Sequence, residues 1–172
     1  GYGVIYNTTE KILAARHDNS YDTHGTHVLG IAGGSSSSAY KGIATGAQLA
    51  VVSTNKSEQG IIDGVDYLIK YAESQGKPIA INVSLGTVLG YKDGTSNFAQ
   101  LLDQLLSGKK GVLLSIATGN EGNRNTMIAS NNNCSSTLVP PSYGRENIFM
   151  QGETGHSYKL KLTLKNTATG DV

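Results

Sequence analysis

Ile79-Ala80-Ile81-Asn82-Val83-Ser84 is the stretch on which the fold class turns. It is a short, nearly continuous apolar run, and a second such run follows at Val112-Leu113-Leu114-Ser115-Ile116-Ala117. Runs of this length without polar alternation suit strands covered on both faces of a parallel sheet. Parallel neighbours need a crossover, and the intervening sequence offers one. Phe98, Leu101, Leu102, Leu105 and Leu106 recur at helical spacing, with Asn97 and Gln100 as a capping box and Gly108 at the end. Upstream, Ile61, Ile62, Val65, Leu68, Ile69 and Ala72 predict an amphipathic helix over 61–74, stopped by Gly76 and Pro78. With Leu49 to Ser53 as a further short strand, the order is strand, helix, strand, helix, strand. That alternation predicts a doubly wound α/β fold.

Outward from this centre the signals are weaker. Asn7 and Glu10 read as a capping box opening a short helix through Ile12, Leu13 and Ala14. A polar loop, His17 to Thr23, precedes a small-residue segment, His24 to Gly33, expected as a buried helix. After Asn120, residues 122–137 are rich in asparagine and serine and read as a long loop. Tyr158, Leu160, Leu162 and Leu164 then alternate with Lys159, Lys161, Thr163 and Lys165, which predicts a half-exposed strand. The expected division is an incomplete catalytic-type domain over 1–144, followed by the start of a β-rich insertion over 145–172.

Composition narrows the classes. The 172 residues carry 14 basic and 13 acidic side chains and a net charge of +1. Without a basic patch there is no electrostatic footprint for nucleic acid. No apolar stretch is long enough to span a bilayer as a helix. Cys134 is the single cysteine, able to pair outside the chain or to stay free. The 22 glycines lie in turns between apolar runs, as strand-to-helix corners require.

Chemistry concentrates in three places. Asp22-Thr23-His24-Gly25-Thr26-His27-Val28-Leu29-Gly30-Ile31-Ala32-Gly33-Gly34 puts a histidine at a helix start beside a glycine, open to close approach by a substrate backbone. His24 and His27 at i, i+3 could instead hold a metal, but no nearby third ligand completes a zinc set. Ser115-Ile116-Ala117-Thr118-Gly119-Asn120-Glu121-Gly122 places an amide at the carboxyl end of a parallel strand, where open α/β sheets bind ligands. Its bland alternative is a plain Gly-Asn turn. Ile81-Asn82-Val83-Ser84-Leu85-Gly86 ends a strand in glycine, and no Gly-x-Ser-x-Gly elbow surrounds Ser84.

These segments, in this order, closely resemble the histidine, substrate-wall and oxyanion motifs of subtilases, the subtilisin-like serine proteases. The resemblance covers about residues 22–122 and implies a three-layer fold with a mainly parallel sheet flanked by helices. It implies that His24 is the general base, that His27 packs, and that Asn120 donates to the tetrahedral intermediate. Ser84, Leu85 and Gly86 would form one wall of the first specificity pocket, and Ala117, Thr118 and Gly119 the other. A bound peptide would add as a β-strand. Glu58, in Ser57-Glu58-Gln59-Gly60, matches a second substrate-binding edge strand or else a solvent-exposed loop.

The resemblance also implies what to look for and not find. The family's aspartate follows an apolar strand, and neither Asp18 nor Asp22 fits. The serine motif, Gly-Thr-Ser followed by small residues and proline, appears nowhere, and Ser142 does not replace it. The expectation is therefore a central section of a serine endopeptidase, inactive alone. Its partners would be the segments bearing aspartate and serine, and a peptide or protein substrate. The alternative is a non-catalytic scaffold or binding module. No cofactor is expected, and calcium, common in the family, has no identifiable site here. The compartment implied is extracellular or the cell envelope.

Overall fold

The computed structural model describes residues 3–15, 22–35, 39–87, 90–124, 126–129, 133–136, 148–163 and 169. Most of the polar loop 17–23, Ser142 and Leu164 onward to Lys165 lie outside them. The described elements run α1 (Thr9–Ala15), α2 (His24–Gly33), α3 (Glu58–Ser74), β1 (Ile79–Val83), α4 (Asn97–Leu106) and β2 (Val112–Ile116).

The centre folds as its periodicity predicts. β1 and β2 pair in parallel with Ile79 opposite Val112 and Val83 opposite Ile116, and α4 forms the crossover. Ala117 N extends the ladder by donating to Val83 O at 3.1 Å. Ile62, Val65 and Ile69 of α3, Ile81 of β1 and Leu102 of α4 meet in one buried cluster. Val65 and Ile69 are each 2% exposed, and full burial of such a side chain stabilises by about 1.5–3 kcal/mol. Parallel pairing between helix-linked strands is the α/β arrangement expected.

Several local expectations shift. The apolar strands were expected to be covered on both faces, but only the α3–α4 side is. Leu113 is 65% exposed and Ala80 is also exposed, because both helices pack on the face that carries Ile81. The cap of α4 is Ser96, not Asn97. Ser96 keeps an extended backbone and its Oγ accepts from Ala99 N at 3.2 Å, while Gln100 Nε2 donates to Thr95 O. Likewise Thr8 Oγ1, not Asn7, accepts from Lys11 N at the start of α1. α3 begins earlier than expected, at Glu58, because Ser57 Oγ accepts from Gly60 N.

Leu49 to Ser53 gains no ladder partner among the described residues. It lies beside α3 instead, where a Cβ on Gly64 would come within 3.1 Å of Val52 Cγ1. α2 is a helix but not a buried one: Val28 and Leu29 are half-buried, Ile31 is 56% exposed, and only Gly33 is buried. Its carboxyl end is tied down where Ile43 N and Ala44 N donate to Ile31 O and Ala32 O. Residues 158–163 likewise have no ladder partner among the described residues, with Tyr158, Leu160 and Leu162 all more than half exposed. Alternation specifies a strand only where a neighbour supplies the other half of its hydrogen bonds.

Candidate active site

Three segments distant in sequence converge at the carboxyl ends of the two strands. A cavity of about 290 Å³ is lined by His24, Ser84, Gly86, Ala117, Gly119, Asn120 and Glu121. His24 opens α2, Ser84 and Gly86 follow β1, and Ala117 to Glu121 follow β2. A shallower depression of about 400 Å³ sits at the other ends of the strands, lined by Pro78, Ile79, Ala80, Gly111, Val112 and Leu113. It offers no titratable or nucleophilic side chain, so the smaller cavity is the candidate site.

His24 Nε2 lies 2.9 Å from the backbone oxygen of Ser84. A carbonyl oxygen only accepts, so Nε2 carries the proton and donates. Asn82 Nδ2 donates to Ser84 Oγ at 2.8 Å, which steadies the same corner. Across the cavity, Gly119 has φ +102°, a conformation that favours glycine. A Cβ there would lie 2.8 Å from Glu121 Oε2, and a Cβ on Gly86 would lie 3.0 Å from Gly119 Cα. The Gly86 wall thus approaches the Gly119 backbone closely enough that a side chain on Gly86 would have to push it aside, and the positive φ of Gly119 favours glycine there. The Glu121 carboxylate accepts from Asn120 N at 2.9 Å and orients the turn that presents the Asn120 side chain.

At the start of α2, Asp22 Oδ1 accepts from His24 N at 2.9 Å and Oδ2 accepts from Lys56 Nζ at 2.8 Å. The bond from Lys56, then the His24 amide, hold the Asp22 carboxyl below the ordinary aspartate range. A histidine at the mouth of the cavity, an amide donor and two extended walls make a site suited to acyl transfer once Nε2 gives up its bond to Ser84 O.

The subtilase family model matches residues 4–163. The chain belongs to the subtilase family. No curated protein and no solved structure gives a significant match.

As a subtilase the chain comes from a family of peptidases, and peptide is its implied substrate class. Of the residues singled out from sequence, the structure gathers His24, Ser84, Gly86, Ala117, Gly119 and Asn120 at one cavity. Leu85 and Thr118 fall between lining residues without lining it. Glu58 does not reach it either. It is exposed in the first turn of α3, in neither an edge strand nor a loop, because the Ser57 cap starts the helix there. His27, expected to pack, is exposed one turn along α2.

Sequence reading assigned no role to three residues that bond to His24, Asn120 or a partner of theirs. Glu121 was legible only as the neighbour of Asn120. Asp22 stands just before a helix start, a position where acidic residues cap, and that signal pointed to it. Its partner Lys56 is 34 positions away and had no signal. The tripeptide Gly94-Thr95-Ser96 does read Gly-Thr-Ser, but Asn97-Phe98-Ala99-Gln100 follows it instead of small residues and proline. Ser96 caps α4 and does not line the cavity. Among the described residues no three His, Cys, Asp or Glu side chains gather as a metal-binding group. Also among them, no helix is long and apolar enough to cross a membrane. Cys134 is free and exposed.

Proposed function

We propose that this chain supplies the general base and the oxyanion donor of a serine endopeptidase. The observation that carries this reading is the convergence of His24, Ser84, Gly86, Gly119 and Asn120 on one cavity at the carboxyl ends of parallel strands. In the proposed reaction His24 Nε2 takes the proton from a serine hydroxyl as that oxygen attacks the peptide carbonyl. The imidazolium then returns the proton to the leaving amine. The Asn120 side-chain amide donates to the oxyanion as it forms, held in place by the turn that Glu121 closes. The peptide lies extended along Ser84 to Gly86, with Ala117 to Gly119 opposite, so backbone bonds give affinity and side-chain pockets give preference.

Neither the aspartate motif nor the complete serine motif is present in the 172 residues. They are contributed, on this reading, by other segments of the same peptidase, and these residues alone do not hydrolyse peptides. A histidine without an orienting carboxylate and a serine has nothing to activate. The working compartment we propose is outside the cell or in its envelope, in keeping with the family.

The test is fluorophosphonate labelling of the full-length protein beside its His24→Ala variant, with mapping of the labelled residue. Label on a serine outside these 172 residues, lost in the variant, supports the proposal. No label on folded protein overturns it and leaves a subtilase-like scaffold or binding module. Label on Ser96 would overturn the assignment of that residue to capping.

A further inference from the structure

We infer that Asp22 and Lys56 form a positioning latch for His24, an inference that rests on His24 acting as the general base. Among the described residues, the amino-terminal end of α2 is held by the His24 Nε2 bond to Ser84 O and by the contacts of Asp22. Asp22, Thr23, His24 and Gly25 are exposed, and the helix is buried only at Gly33, at its far end. The N-cap residue Thr23 makes no side-chain capping bond. The amide of His24 is taken up by Asp22 Oδ1, and the other carboxylate oxygen accepts from Lys56 Nζ.

The other end of the latch is firmly built. Lys56 has φ +61° and is the one non-glycine with a positive φ among the described residues. A side-chain-bearing residue keeps that conformation only where its surroundings impose it, and such residues cluster at functional sites. Here Lys56 N donates to Thr54 Oγ1 at 2.9 Å, and Ser57 N donates to Asn55 Oδ1 at 3.1 Å. Ser57 in turn caps α3, the helix that carries Val65 and Ile69 into the core. A continuous path thus runs from the core helix through Ser57 and Lys56 to Asp22 and the backbone of His24. It fixes the height of the imidazole over the cavity, where a small misplacement is costly to turnover.

The experiment compares kcat and KM for peptide hydrolysis by the full-length protein and its Asp22→Asn, Lys56→Met, Lys56→Gly and Lys56→Arg variants, with the Asp22→Asn/Lys56→Met double. Exposed ion pairs couple weakly, so each charge-removing single variant is expected to lower kcat about two- to fivefold, with KM nearly unchanged. The double variant should be no worse than either single one. Lys56→Arg should retain most of the activity. Lys56→Gly relieves the backbone but removes the ammonium, so it should behave as Lys56→Met does. Salt of about 1 M should bring the native protein toward the variants, since it screens exposed charges within a few ångströms.

Unchanged kcat, additive losses, or a change in KM alone would each overturn the latch. A folded but less stable variant with native kcat would do the same, because it would show a purely structural pair. His24→Ala is the control: if it keeps activity, the general-base reading fails and the latch falls with it. If it abolishes activity while the pair variants match the native protein, only the latch fails.

Discussion

The imidazole Nε2 of His24 donates to the backbone oxygen of Ser84 across 2.9 Å. The nitrogen that must accept a proton in the proposed reaction is thus the one that already carries it. A neutral imidazole cannot hold protons on one nitrogen and accept there as well. In the 172-residue chain, nitrogen NMR of His24 is expected to report the Nε2–H tautomer. In the full-length protein, a carboxylate accepting from Nδ1 should reverse it. An Nδ1–H tautomer in the isolated chain would show that the bond to Ser84 does not form in solution.

Asn120 is placed to donate only if its turn holds. Asn120→Ala in the full-length protein should lower kcat roughly 100- to 1000-fold with little change in KM, a magnitude carried over from subtilisin, itself a subtilase, and not obtained from this structure. Steady-state kinetics check it; a loss confined to KM would assign Asn120 to ground-state binding.

Gly119 and Gly86 set the gap between the walls. Gly119→Ala adds a Cβ 2.8 Å from Glu121 Oε2 on a backbone with φ +102°. The expected cost is about 1–3 kcal/mol of stability, measured by urea unfolding, together with reduced kcat/KM. Gly76→Ala serves as comparison. Its φ is +62° but a Cβ there meets nothing within 4 Å, so it should lose stability without losing activity beyond that.

Asp22 makes a pH prediction. Its carboxyl is held low, first by the bond from Lys56 and then by the His24 amide. A depressed acid favours the folded state above its unfolded pKa, and that contribution fades as pH falls through the folded value. The contribution is therefore fully present at neutral pH, where small pH changes should leave it unaltered, and it is lost on acidification from the ordinary aspartate value down through the lowered one. Carboxyl-carbon NMR should show Asp22 titrating below that range, and Lys56→Met should move it back up. An unmoved titration would mean that the ion pair does not persist in solution.

The core gives the largest stability effect. Ile69 is 2% exposed between α3, β1 and α4, so Ile69→Ala should destabilise by about 2–5 kcal/mol. Tyr67→Ala, on the exposed side of the same helix, should cost far less. Thermal or urea unfolding separates the two.

What could be read ahead of the structure followed range. The apolar periodicity of Ile61 to Ala72 and of Phe98 to Leu106 predicted α3 and α4, and the runs at Ile79 and Val112 predicted β1 and β2. Local hydrogen-bonding chemistry located helix starts to within a few residues. Thr8 caps one residue after the expected Asn7, Ser96 one before the expected Asn97, and α3 starts three residues before the expected 61. Strands were less legible. Leu49 to Ser53 and the alternating 158–163 have strand-like patterns, yet neither has a ladder partner among the described residues. A helix satisfies its own backbone, whereas a strand depends on a neighbour that its residues do not encode.

The sequence by itself determined the family, the order of the central elements and which side chains the proposed chemistry uses, because these reside in spacing, residue type and motif. Tertiary structure alone decided that His24 meets Ser84, that Gly86 and Gly119 touch, that Glu121 holds Asn120, and that Lys56 reaches Asp22. It also left Glu58 outside the cavity. Apart from the Glu121 turn and the place of Glu58, these contacts join residues more than thirty positions apart. They follow from how α3, α4 and the sheet pack, and no local pattern contains that information.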